Sequence, residues 1–107
     1  MNYGKLRHKL SLQTPESTTD KGIVTTTWYP AGEVFADVSQ LSGRELEQAR
    51  QIVAEATHQI KTRWSPSRFE PKQRLLMDGR YFYIENVNNV GERNREMILT
   101  CVERTNG

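Results

Sequence analysis

The run "QRLLMDGRYFYIENV", Gln73 to Val87, decides the fold. Apolar and aromatic residues gather on both sides of Asp78-Gly79. That dipeptide suits a type I′ turn, whose two central residues both need positive φ, and such a turn joins antiparallel strands in a tight hairpin.

Strands recur on either side of it. "KLRHKLSLQ" alternates, with Leu6, His8, Leu10 and Leu12 on one face and Arg7, Lys9 and Ser11 on the other, as a half-buried strand does. "IVTTTWY" is β-branched and aromatic and predicts a second strand, ended by Pro30 and Gly32. In "EVFADVSQL", Val34, Ala36 and Val38 alternate with Phe35 and Asp37, which predicts a third. "REMILTCVER" is the closing strand. Between these runs, "TPESTTDKG", "SPSRFEPK" and "NNVGERN" read as polar loops and turns from their Pro, Gly, Asn and Ser content.

One helix interrupts the strands. Ser42 can cap its N-terminus, and Glu45 stands three residues on, as a capping box requires. Leu46, Ala49, Ile52, Val53 and Ala56 fall on one side at 3.6 residues per turn, with Arg44, Glu47, Gln48, Gln51 and Glu55 on the other. This predicts a helix over about 42–56, roughly four turns. At Thr57 the period changes to two. Gln59, Lys61 and Arg63 then oppose His58, Ile60, Thr62 and Trp64, a strand with a basic face. The expected architecture is one mainly β domain over residues 1–107, a small β-barrel or sandwich of about six or seven antiparallel strands with the helix packed on it.

Composition agrees. A chain of 107 residues buries roughly 60–70% of its unfolded surface and needs no disulfide or metal to hold it. With 36% hydrophobic and 26% charged residues it has the balance of a soluble domain. The net charge of +2 is small for a dedicated DNA binder. No apolar run approaches the ~18 residues of a membrane span, and "MNYGKLRHKL" lacks the apolar stretch of a secretory signal. These features predict a cytoplasmic protein with no membrane partner.

Catalytic patterns are missing. There is no P-loop, GxGxxG, HExxH or CxxC. Cys101, the sole cysteine, sits in a strand-like run and reads as a small apolar side chain. His8, on a leucine face, reads as a partly buried, hydrogen-bonded residue. His58 lies at a helix-to-strand junction, where the helix dipole favours an imidazolium. Ser42 lacks the glycines of a nucleophile elbow, and Asp37, Asp78 and Glu85 are scattered. No catalytic residue, metal site or cofactor is expected.

The strongest binding signal is Lys61, Arg63, Arg68, Lys72 and Arg74, interleaved with Trp64 and Phe69 and opposed only by Glu70. Three readings fit it. It is a solvated face, or an OB-like surface that binds single-stranded nucleic acid through 61–74, or a protein–protein surface, where Arg and aromatic residues are enriched.

The order of the pieces favours the last. "KLRHKLSLQ", a polar loop with "DKG", then "VFADVSQLSGRE", "EATHQIKTRW", "LLMDGRYFYIENV" and "ILTCVE" together resemble the phage head–tail joining family, the small adaptor, stopper or head completion proteins of tailed phages and prophages. The resemblance runs over nearly the whole chain. Phe35 stands where the family usually carries Trp, and "NNVGERN" replaces a more regular glycine turn.

The resemblance implies a structural, non-enzymatic virion protein with a small β-barrel core. Such proteins are made in the host cytoplasm and reside in the neck of the virion. They form a ring under the portal, a dodecamer or hexamer, close the DNA exit channel and present a docking surface for the tail. The implied partners are the portal or connector protein, a tail-completion or tail-tube protein and identical copies. Genomic DNA passes with only weak, non-specific contact. Arg44, Glu47 and Gln51 on the helix, with Lys61, Arg63, Arg68 and Phe69, are the candidate subunit and portal interface. The loops Thr14–Gly22 and Trp64–Lys72 are expected to order on assembly.

Overall fold

The computed structural model describes residues 8–64 and 69–104. The elements in chain order are β1 (His8–Asp20), β2 (Ile23–Gln40), α1 (Gly43–Arg50), β3 (His58–Arg63), β4 (Arg74–Met77), β5 (Arg80–Asn89), a 3₁₀ turn at Val90–Glu92, and β6 (Glu96–Arg104). The strands close into a barrel in the order β1-β2-β3-β6-β5-β4, with every neighbouring pair antiparallel.

The period-two patterns place the core as read. Leu10, Leu12, Val34, Ala36, Ile60, Leu75, Phe82, Ile84, Leu99 and Cys101 point inward and are buried. Their strand neighbours Lys9, Ser11, Phe35 and Glu85 face out. Thr62 also points in, and its hydroxyl donates to the Phe35 carbonyl at 3.0 Å, so the buried oxygen has a partner.

Four expectations need correction. The polar stretch Thr14–Gly22 is not a loop: β1 runs on through Asp20 and pairs with β2 as far as Ile23. The two strands hold each other by backbone pairing, without any fully buried side chain in the stretch. Pro30 and Gly32 do not end the second strand. Ser11 pairs with Glu33 and Gln13 with Pro30, so Ala31 and Gly32 both face Leu12. The extra residue is a β-bulge, which tolerates a proline without N–H and bends the strand into the barrel wall. The expected second and third strands are thus one.

The helix is shorter than 42–56, ending at Arg50, and Ser42 makes no side-chain capping bond. It has no fully buried residue; Leu46 and Ala49 are half-buried, and Ile52 beyond its end is 72% exposed. Ala56 is buried because the chain is already turning back into β3, with Thr57 N–H donating to the Cys101 carbonyl at 3.0 Å. Finally, Phe69 is not on an exposed loop: it is a member of the core, with 7% of its surface exposed.

A polar circuit holds one mouth of the barrel, where β3 begins and β6 ends. Arg80 Nη2 donates to His58 Nε2 at 3.3 Å, and Arg80 Nε donates to the Glu103 carboxylate. With Nε2 accepting, the imidazole proton sits on Nδ1 and donates to Thr57 Oγ1 at 2.9 Å. That oxygen also accepts from the Glu103 N–H at 2.8 Å. The expected imidazolium is therefore a neutral ring, packed edge-on against Phe82 with centroids 5.1 Å apart. Burial lowers the affinity of His58 for a proton, Glu103 opposes this and Arg80 adds to it. The expectation for His8 also fails in part: its Nδ1 is buried without a hydrogen-bond partner among the described residues.

Two predictions follow from turn and circuit. Asp78 and Gly79 have φ of 49° and 76°, the pair of positive values a type I′ turn needs. A Cβ at Gly79 meets nothing within 4 Å, so Gly79→Ala costs only backbone strain, about 1 kcal/mol. This lowers Tm by ~4–8 °C, while Asp78→Asn leaves Tm unchanged or raised; a thermal melt measures both. The second prediction concerns pH. Folding depresses the proton affinity of His58, so the unfolded chain takes up the extra proton as pH falls below the free value of 6.5, and stability drops there. Glu103, held below the ordinary carboxylate value of 4.5 chiefly by its hydrogen bond from Arg80, is lost in the same direction at lower pH. Urea midpoints should fall between pH 7.5 and 5.5, and His58→Gln should flatten that decline. A wild-type midpoint that is level over this range contradicts the account.

Candidate assembly surface

The groups with catalytic potential are committed to structure. Cys101 is fully buried, its thiol lies 3.6 Å from the Leu99 carbonyl, and burial pushes its pKa far up. His58 is neutral and has a bonding partner at each ring nitrogen. Among the described residues no three His, Cys, Asp or Glu side chains converge as metal ligands.

The residues singled out in the sequence do not form one patch. Arg44 and Glu47 are exposed on α1, and Gln51 is exposed at its C-terminal end. Lys61 and Arg63 lie on the outer face of β3, where the register sets Lys61 opposite Asp37 and Arg63 opposite Glu96. Opposite charges across neighbouring strands neutralise what looked like a basic face. Phe69 is in the core, and Arg68 lies outside the described residues. Arg74, expected on the same basic surface, is 7% exposed and enclosed by aromatic rings. Among the described residues, the constellation required for stacking single-stranded nucleic acid is not assembled.

The feature the sequence reading missed is an arm. β4 pairs with β1 only at Ser11–Gln13, and β3 pairs with β2 only at Ala36–Gln40. Between those limits, residues 14–20 and 23–29 pair with one another alone. They project from the barrel as a two-stranded ribbon, and the molecule measures 48 Å along one axis against 28 Å along the others. Lys21 and Gly22, with φ of 52° and 80°, make the tip a second type I′ turn. Ile23 and Val24 follow it and are 67% and 65% exposed.

The base of the arm is fixed by packing. Arg74 lies 4.0 Å from the Trp28 ring centroid and 4.6 Å from that of Tyr81, and Trp28 meets Tyr83 edge-on at 5.8 Å. Arg74 Nε donates to Gln13 Oε1 at 2.7 Å and Nη1 to the Tyr83 hydroxyl at 3.2 Å. Gln73 Nε2 donates to Thr14 Oγ1 at 3.1 Å. A guanidinium held between rings is stabilised by cation–π attraction, worth about 2 kcal/mol when desolvated. Strand residues 13, 14 and 28 are thereby tied to β4 and β5. The clue to the arm was the density of Thr beside a Lys-Gly pair, which a strand tolerates and a loop does not require.

There is a second exposed apolar area. Past the helix, Ile52, Val53 and Ala54 border a shallow groove of about 370 Å³ with Glu55, Glu85 and Val102. Glu85 faces outward beside the inward Ile84, at a second bulge where Ile84 pairs with Cys101 and Asn86 with Thr100. Glu55 Oε2 lies 3.5 Å from Arg104 Nη2. The groove thus joins an apolar floor to an acidic rim.

Solved structures share this fold. The solution structure of protein SF1141 from Shigella flexneri 2a superposes with a TM-score of 0.75, at 23% identity, covering 100% of both chains. A chain of the virion of a native gene transfer agent particle superposes with a TM-score of 0.63, at 20% identity, over 92% of this chain and 96% of that one. No curated protein matches the sequence. The family model described as phage head completion protein matches residues 1–104, all but the last three positions, and the chain belongs to that family.

Proposed function

We propose that this head completion protein acts by assembly. Identical copies form a ring beneath the portal of the filled head, narrow or close the DNA exit channel and offer a surface on which the tail docks. The observation that carries this reading is the ribbon arm on a closed barrel. A closed barrel has no free strand edges, yet here two strands extend beyond closure with their outer backbone edges unpaired among the described residues. An exposed ribbon edge is a template for adding another chain. The arm therefore supports a role in joining subunits or reaching into a channel, and the barrel supplies a stiff base for it.

Electrostatics supports the same role. A conduit for duplex DNA works best without strong phosphate contacts, since each neutralised phosphate adds affinity. The net charge is only +2, and Lys61 and Arg63 stand opposite carboxylates. The partners proposed are the portal or connector protein, the tail-completion or tail-tube protein and further copies of this chain. Arg44 and Glu47 on the exposed side of α1, with Gln51 at its C-terminal end, are the proposed contacts to portal or neighbour.

The test is assembly on the natural partner. Light scattering should show the protein alone as a small species, and a ring-sized mass after mixing with portal rings. Added to heads that lack it, the protein should restore infectivity and appear in the neck by electron microscopy. Failure to join portal-bearing heads removes the reading. Binding to single-stranded oligonucleotides at ~0.15 M salt should be negligible, and Arg63→Ala should leave ring formation on portals intact while Arg44→Glu weakens it.

A further inference from the structure

We propose that the arm tip of one copy seats in the groove beside Ile52 and Val102 of the next, a head-to-tail contact that links neighbours in sequence. The inference rests on the self-association proposed above and specifies which surfaces meet.

The two surfaces are complementary. The tip carries two exposed aliphatic residues, Ile23 and Val24, next to the cation Lys21. The groove carries Ile52, Val53 and Val102 as its floor and Glu55 and Glu85 as its rim. Ile23, Val24 and Ile52 are the three most exposed of the large apolar side chains among the described residues, at 67%, 65% and 72%. Docking the tip in the groove sets Ile23 against Ile52 and Lys21 against the carboxylates, while Val24, next along the strand, points to the ribbon's other face. Asp20, on the other side of the tip, is then matched by Arg104, which already lies 3.5 Å from Glu55.

Topology makes this contact intermolecular. β1 begins at His8, on the mouth also bordered by Gln40, His58, Met77 and Arg80. It leaves the barrel at Gln13 toward the opposite mouth, and the arm continues that way. The helix joins Gln40 to His58, so the groove behind it belongs to the first mouth. The tip projects past the closure at Gln13, while the groove lies on the barrel behind that closure. Two different patches meeting in this manner form a heterologous interface, which propagates and, with the right rotation, closes a ring. A single tip covers much less than the ~1,000 Å² of a stable interface, so the contact is weak between free copies. It becomes effective when a portal holds the copies side by side and raises their local concentration.

The decisive experiment is disulfide trapping in assembled necks. Heads lacking the protein are completed with the I23C/I52C double variant and oxidised, then run on non-reducing gels. Both sites are exposed, so the fold is preserved, and Cys101 is buried and unreactive. The expected result is a ladder of covalent multimers from the double variant and monomers from I23C or I52C alone. Lys21→Glu should lower the yield roughly two- to fivefold, the worth of an exposed ion pair, and Lys21→Glu with Glu85→Lys should restore it. If the necks assemble but the double variant gives no ladder, the tip docks elsewhere and the inference is overturned while the ring reading stands. If I23C alone yields dimers, the tips meet each other, and the inference is likewise overturned. If wild-type protein fails to join heads, the ring reading falls and takes this contact with it.

Discussion

The barrel is closed by a seam of three residue pairs, Ser11, Leu12 and Gln13 of β1 against Leu76, Leu75 and Arg74 of β4. All other strand pairs in the wall are longer. This short seam holds because its side chains work on both faces. Inside, Leu12 and Leu75 are buried in the core. Outside, Arg74 bonds to Gln13 and lies against Trp28 and Tyr81. Opening the seam exposes both sets at once, a loss of several kcal/mol by the worth of buried aliphatic and cation–π contacts. Closure also determines where β1 and β2 cease to belong to the barrel, so the arm exists because β4 is only four residues long.

The local signals in the sequence were readable where one face is buried. The Asp78-Gly79 hairpin is set by turn chemistry and by alternation in the strands beside it, and both are contained within fifteen residues. β3 was equally plain, since Ile60 and Thr62 point into the core between Gln59, Lys61 and Arg63. The arm was only half legible: Ile23–Tyr29 read as a strand from its β-branched and aromatic residues, but Thr14–Asp20 did not, because neither face of the arm is buried. Without a buried side, hydrophobic alternation vanishes, and Thr-rich ribbon and polar loop have the same composition. The helix was overextended for a related reason. The apolar spacing from Leu46 to Ala56 looked like one face, but Ile52 serves an exposed groove and Ala56 serves the turn into β3.

The candidate interface was harder to read than the fold. Strand register, which the sequence does not carry, put Asp37 and Glu96 opposite Lys61 and Arg63. Three rings from distant positions, Trp28, Tyr81 and Tyr83, enclosed Arg74. Phe69, flanked by charges and prolines, looked like a surface residue and instead fills the core. Charge along a chain predicts a patch only when neighbours across the sheet do not cancel it. Arg44 and Glu47 on α1 and Gln51 just past its end escape this problem, because all three are exposed and none lies in the sheet.

The arm's construction has an evolutionary corollary. Its two strands pair in regular register from Gln13–Pro30 to Asp20–Ile23, with no buried side chain beyond the root. Adding or removing two residues on each strand would change its length by about 6.6 Å and leave every side chain on its original face. Reach can thus be retuned in discrete steps, with the core, the seam and the polar mouth left untouched.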